Sequence, residues 1–427
     1  MTYQLLHVIQ RLLICFIPLA LIIGPFIADL FVVLCSLLFL FFSISKKEFK
    51  YFKSIFFLTF ICLCLYLLIR SIFSNDYLLS LESSLFYFRF GLFSLAVWYI
   101  LENDKLFIKT FYLFIIFTFL ILFIDSFYQY FTGFNLLGYK YNGIRLSSFF
   151  GQEMVLGNYI SRLMPLLIGI ILYYHNSSKI SLIIGFLFLI LSDVLVYISG
   201  ERSAFFFLIL TTIILVIISN RWKLLRLISF LISLAIIIFL SLYNPSVKER
   251  MIDATINQTN INEDKIYFFS YEHTSLYNTA INIFYDNPIF GVGTKMFRVM
   301  CNDEKYRLID TVNGTEYVRS CSTHPHNVFL QLLAETGLVG FLPVFLLFIF
   351  IIYQFCRQTV ATWITKKSFL SDFQICLYIS IMLSIWPFVP SLNIFNNWIS
   401  IIFYLPVGFL LFTYEAHNNK PNNLSNT

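Results

Sequence analysis

Stretches of about 20 consecutive apolar residues, repeated along nearly the whole chain, constrain this sequence more than any single motif does. A run of that length matches the thickness of a bilayer's hydrocarbon core. In lipid every backbone N–H and C=O must be satisfied internally, which leaves helices and closed barrels as the only spanning structures. The runs here are continuous rather than alternating, so helices are favoured over a barrel. Composition agrees: the 427 residues are 59% hydrophobic and 12% charged, with a mean hydropathy of +0.80. Soluble domains carry roughly a quarter charged residues. The expected fold class is therefore all-α: a polytopic membrane protein forming a single integral membrane domain over residues 1–427.

The chain divides into about 12 candidate transmembrane helices at this length. The run 12–42 is too long for one helix and is broken at Gly24-Pro25. The others are 54–68, 85–101, 107–125, 155–173, 180–198, 204–219, 227–242, 328–353, 375–388 and 398–412. Lys and Arg gather in alternate short loops: Lys46, Lys47, Lys50 and Lys53; Lys105 and Lys109; Lys179; Arg221, Lys223 and Arg226; Arg357, Lys366 and Lys367. The opposite loops 71–84 and 390–397 have none. This asymmetry places both termini in the cytoplasm and turns 129–154, the Gly200–Ser203 turn and 243–327 to the periplasm. The net charge of +6 is thus topological; no basic stripe suits nucleic acid, and no nucleic-acid partner is expected. No small-residue cleavage site follows the first apolar run, so no cleavable signal peptide is expected.

Residues 243–327 form the one long periplasmic loop, expected to contain short helices. Within it, 277–285 has apolar residues at helical spacing and ends at Asp286-Asn287-Pro288, a helix stop. The tail 417–427 is Asn-rich and polar, and reads as a disordered cytoplasmic tail. Cys301 and Cys321 lie in the loop and form either a disulfide or two free thiols. No further Cys/His set has metal-ligand spacing, so no metal or other cofactor is expected.

Chemistry-bearing residues cluster on the predicted outer side. His326 stands where the loop meets an apolar helix, and imidazole there suits a general base acting on a hydroxyl. A capping or interface histidine is the alternative, and His324 is its neighbouring rival. Arg202, in Ser199-Gly200-Glu201-Arg202, lies in a very short turn between two spans. A guanidinium at membrane depth needs an anion, either phosphate or the adjacent Glu201. Arg145 opens the stretch Arg145-Leu-Ser-Ser-Phe-Phe-Gly-Gln-Glu153 on the same side. Arg89 and Arg162 are embedded in apolar sequence, with Asp125, Glu153 or Asp193 as candidate partners. No Walker A loop and no Asp-x-Asp pair is present, which argues against ATP and against a metal-held nucleotide sugar.

His326-Asn327, nine residues, then Gly337-Leu338-Val339-Gly340 resembles the signature of the O-antigen ligase and polymerase superfamily. Three further stretches resemble it in the same order: 145–159 with its Phe-Gly turn, Ser199-Gly200-Glu201-Arg202, and Asn287-Pro288-Ile289-Phe290-Gly291-Val292-Gly293. The resemblance implies a membrane glycosyltransferase whose donor is a glycan on undecaprenyl diphosphate and whose acceptor is a hydroxyl of lipid A–core or of another lipid-linked glycan. It implies donor binding by Arg145 and Arg202, and a base or acceptor-orienting role for His326. Asn327, Arg89, Glu201 and His324 are the candidate substrate-binding residues. One departure stands out. Ligases carry Arg-x-x-x-Leu at the second site, whereas here Phe206 holds the fourth position after Arg202 and leucine arrives at Leu208. A transporter or flippase of lipid-linked glycans is the alternative from another functional class.

Overall fold

The computed structural model describes residues 2–175, 178–243, 245–259, 269–307, 309–312, 315–318, 320–364, 366 and 368–418. The helices in chain order are α1 (Thr2–Ile23), α2 (Pro25–Lys46), α3 (Ile55–Ile72), α4 (Tyr77–Ser84), α5 (Phe88–Asn103) and α6 (Phe107–Thr132). Next come α7 (Leu156–Tyr174), α8 (Lys179–Ile198), α9 (Arg202–Ile218) and α10 (Lys223–Tyr243). The connecting segment holds α11 (Pro245–Lys248), α12 (Ala254–Thr259), α13 (Tyr271–Asp286) and α14 (Phe297–Met300). It also holds a hairpin of β1 (Ile309–Val312) and β2 (Thr315–Val318), antiparallel with Ile309 opposite Val318. The chain then runs through α15 (Val328–Trp363), α16 (Asp372–Ser384) and α17 (Asn397–Asn418).

Ten helices among the described residues are long and apolar enough to cross a membrane, and α9 and α16 are shorter apolar helices. The chain is an all-α polytopic membrane protein, as its apolar runs require. The break at Gly24-Pro25 separates α1 from α2 as expected. The stretch 71–84 is more ordered than a loop: Asp76 accepts a hydrogen bond from the Leu79 N–H at 3.1 Å and so starts α4, which continues through a short turn into α5. Buried on nearly every side, α7 and α16 form the centre of the bundle. They pack on each other, and α17 packs on α16 and α5. At the periphery, α3 leaves Leu58, Leu65 and Ile69 uncovered and α10 leaves Leu231 and Phe239 uncovered, an apolar surface suited to acyl chains.

Charges inside the bundle are tied off. Arg226 donates to both carboxylate oxygens of Asp193 at 2.7 and 2.9 Å, joining α10 to α8. Arg162 donates to the Leu383 carbonyl of α16 and lies 4.7 Å from the Phe207 ring centroid. Arg89 pairs with Asp29 at 2.7 Å. These pairings correct the expected partners of Arg89 and Arg162. Asp193 is held by Arg226, and Asp125 is held by the Ser148 hydroxyl and the Leu136 N–H.

The segment between α10 and α15 packs through its own apolar cluster. The α13 residues Leu276, Ala280 and Ile283, spaced at helical intervals, meet Val292, Met296, Phe297, Cys301, Tyr306 and Ala334. Ser270 caps α13, and the helix ends at Asp286, as the Asn287-Pro288 signal predicts. A disulfide joins Cys301 to Cys321, with Cα atoms 5.0 Å apart. Of the polar tail expected over 417–427, residues 419–427 lie outside the described residues.

Candidate functional site

Two glycine-containing motifs create the platform for the site. Within α15 the backbone leaves the helical region at Gly337 (φ 59°, ψ −165°). The 287–291 segment fills that break: Leu338 N–H donates to the Pro288 carbonyl at 2.9 Å and Val339 N–H to Ile289 at 3.2 Å. A Cβ on Gly337 would lie 2.4 Å from the Ile289 oxygen, and one on Gly291 would lie 2.5 Å from the Thr336 and Gly337 nitrogens. Only paired glycines permit so close a backbone approach. Tyr66 and Arg70 of α3 fasten the joint through the Thr336, Phe290 and Gly291 carbonyls. This joint sets the first turns of α15, whose start carries Asn327. The Asn327 side chain accepts from the Phe329 and Leu330 N–H groups and donates to the Pro387 carbonyl at 2.6 Å.

A second arrangement forms at the α8–α9 turn. Gly200, with φ +73°, packs so tightly on the 144–145 backbone that a Cβ would meet the Ile144 oxygen at 2.6 Å. The following residue, Glu201, is fully enclosed. Its carboxylate accepts from the Gly157 N–H at 2.7 Å, the Asn158 N–H at 3.1 Å and the Asn158 side-chain amide at 2.7 Å. Arg145 stands 4.0 Å away. Burial raises the Glu201 pKa, while Arg145 and the three N–H donors oppose that shift. Arg145 also donates to the Met154 carbonyl at 2.6 Å, and Arg202 donates to the Thr255 hydroxyl at 3.1 Å.

These residues face a cleft of about 480 Å³ that Arg145, Asn158, Glu201, Arg202, Arg250 and His273 line, with an apolar wall that includes Phe206 and Phe388–Pro390. Arg250 acts electrostatically on both Arg145 and Arg202. Among the described residues, three guanidinium groups against one carboxylate leave the cleft cationic. A dense positive site of this kind calls for a polyanion, and the geometry of guanidinium suits phosphate oxygens.

A row of imidazoles starts at the cleft with His273. The His273 and His326 ring centroids are 5.6 Å apart, edge to face, and those of His326 and His324 are 4.1 Å apart. His326 takes a left-handed backbone conformation (φ 55°), uncommon for a residue with a side chain. It is held there by the Ser391 N–H, which donates to the His326 carbonyl at 2.7 Å. Strain of this kind concentrates at functional sites. Burial lowers all three imidazole pKa values, that of His324 to about 3. His324 is the most enclosed, with Nδ1 3.0 Å from the Thr323 hydroxyl and Nε2 3.3 Å from the Ser391 carbonyl.

The structure therefore brings together Arg145, Glu201 and Arg202, and sets His326, Asn327 and His324 beside them. It does not bring in Arg89. That guanidinium is spent on Asp29, the Phe86 carbonyl and the Asn397 side chain, and lies outside the cleft lining. Asn327 serves as helix cap and strut. Sequence reasoning missed Asn158, Arg250 and His273. Arg250 lies in a π-helical turn, Glu249–Asp253, a local geometry often found at functional sites but invisible in residue spacing. Position 206 keeps its apolar role as phenylalanine, lining the cleft against Trp386 with ring centroids 6.1 Å apart.

No curated protein matches the chain. Residues 184–345 match the family model described as O-antigen ligase, a span holding Arg202, the 287–293 segment and His326 through Gly340. Over this span, under half of the chain, the protein is similar to that family.

Proposed function

We propose that the protein transfers a glycan from undecaprenyl diphosphate to a sugar hydroxyl of lipid A–core, at the periplasmic face of a bacterial inner membrane, without a metal. The observation that carries this reading is the convergence of Arg145, Arg202 and Arg250 on one cleft beside a row of imidazoles. Arginines bind the diphosphate and neutralise the charge it gains as the bond from the anomeric carbon to the diphosphate oxygen breaks. The acceptor oxygen forms the new bond to that carbon from the opposite face, with inversion, and its proton passes to neutral His326. An imidazole whose pKa burial holds below 6.5 is unprotonated at neutral pH and ready for that step. Undecaprenyl diphosphate leaves as the anion, held by the same arginines.

Joining one lipid-linked glycan to another is the second reading, favoured by Phe206 standing where ligases carry leucine. Transport of the donor across the bilayer fits less well, because Arg162, Asp193 and Arg226 are bonded to neighbouring groups rather than lining a path. The test is transfer in vitro with purified protein and undecaprenyl-diphosphate glycan, with lipid A–core and a second lipid-linked glycan offered as rival acceptors. His326→Ala and Arg202→Ala are each expected to abolish product while protein levels stay normal. Wild-type transfer by both variants rejects the assignment.

A further inference from the structure

We propose that His273 is a donor-side catalytic residue, giving a hydrogen bond from Nε2 to the departing diphosphate; this rests on the transferase reading above. His273 lines the cleft together with the arginines; the His326 ring stands 5.6 Å from it, outside that lining, and the His324 ring 4.1 Å from His326. The order from cleft inward makes His273 the imidazole that reaches the bound anion first.

Its first-turn position on α13 sets a hydroxyl against one ring nitrogen. Ser270 caps the helix, its Oγ accepting from the His273 backbone N–H at 3.5 Å. The same Oγ lies 2.6 Å from His273 Nδ1. With the hydroxyl oxygen used as a cap acceptor, its hydrogen is free to point at Nδ1. With the hydroxyl donating to Nδ1, the proton of the neutral ring sits on Nε2, the ring nitrogen left for a ligand. Burial first, then His326 and Arg202, lowers the ring's pKa against the opposing pull of Glu272, so the ring is neutral and donates from Nε2. A neutral donor suits a diphosphate whose charge rises as the glycosyl bond breaks. The interaction strengthens in the transition state and so appears in turnover more than in binding. Two imidazoles in edge contact thereby divide the reaction: His273 on the leaving group, His326 on the incoming hydroxyl. No proton passes between them.

Glutamine places an amide nitrogen near the Nε2 position and asparagine near Nδ1, so the pair tests which atom matters. His273→Ala is expected to lower kcat by about a hundredfold, the scale for losing one such donor, with donor KM changed by less than about threefold. His273→Gln recovers to within about tenfold of wild type, and His273→Asn does not. The acid limb of the pH–rate profile, set by His326, stays where it is in His273→Gln. If His273→Ala keeps wild-type kcat while Arg202→Ala and His326→Ala lose activity, this assignment is overturned and the transferase reading stands. If all three variants keep activity, the transferase reading itself is overturned. Should His273→Ala fail to purify as a monodisperse protein, the Gln and Asn variants decide: equal kcat values in the two reject the Nε2 role.

Discussion

Replacing Gly337 by alanine isolates what the second half of the His-Asn…Gly-x-x-Gly signature contributes. The residue sits at φ 59°, ψ −165°, where a side chain costs about 1–3 kcal/mol in backbone strain. Its Cβ would also lie 2.4 Å from the Ile289 oxygen and 2.5 Å from the Gly291 nitrogen, both backbone atoms. Relief requires the 287–291 segment to draw back, which stretches the Leu338–Pro288 and Val339–Ile289 hydrogen bonds, each worth about 0.5–1.5 kcal/mol. The combined cost is about 2–6 kcal/mol. Gly340, the other glycine of the signature, keeps helical geometry, and a Cβ there meets the Thr336 side chain at 2.4 Å. The Thr336 Cβ rides on its own backbone and cannot swing aside, but Gly340 carries no positive-φ strain and a side chain there breaks neither hydrogen bond to 288–289, so Gly340→Ala costs less. The assay is thermal unfolding of both purified variants in the same detergent, alongside the transfer rate. Gly337→Ala is expected to melt well below wild type, with Gly340→Ala between them. Melting of Gly337→Ala at the wild-type temperature, or a reversed order of the two variants, refutes the argument that the signature glycines form a backbone joint.

Transfer should fall as pH drops through a midpoint below 6.5, because protonated His326 cannot accept the hydroxyl proton and burial depresses its pKa; a midpoint above 6.5 contradicts that environment. Cys301→Ser with Cys321→Ser should lower the melting temperature and weaken transfer, since the disulfide ties the end of α14 to the segment leading into His324 and His326. Unchanged transfer and melting shows that the histidine row holds its place without it. A reporter inserted at the exposed Asp303 turn should report periplasm and one at Lys366 cytoplasm, following the Lys/Arg asymmetry of the short loops. The opposite readings overturn the orientation.

Legibility of this chain in its sequence follows the range of the forces involved. Apolar runs act locally, so the spans, the break at Gly24-Pro25 and the stop after Asp286 could all be read residue by residue. Partners of buried charges are set by which helices meet, and no spacing rule reaches that far. Arg89 therefore finds Asp29, 60 residues away, rather than Asp125, Glu153 or Asp193. The motifs Ser199–Arg202 and His326–Gly340 were visible because each holds a charge or an imidazole where apolar sequence should continue. Their division of labour was not visible. Gly337 and Gly291 contact each other's backbone across 46 positions of sequence, and only that contact separates them, as joint, from His326, as chemistry.

Arg250 and His273 were hidden for a related reason. Both lie in polar sequence, where a charged or imidazole side chain is unremarkable, and both gain meaning from what faces them. Arg250 completes a set of three guanidinium groups only once α9 and the 145 segment converge, and Glu201 explains why that set is tolerated. A fully enclosed carboxylate, held by three N–H donors, offsets part of the repulsion among the arginines without occupying the cleft. Among the described residues lining the cleft, the remaining positive charge has no second carboxylate against it, a cost that a bound polyanion relieves. An arrangement that is destabilising when empty and stabilising when filled favours ligand-bound over ligand-free protein. Inorganic pyrophosphate should accordingly raise the melting temperature of the purified protein, and Arg202→Ala should abolish that rise.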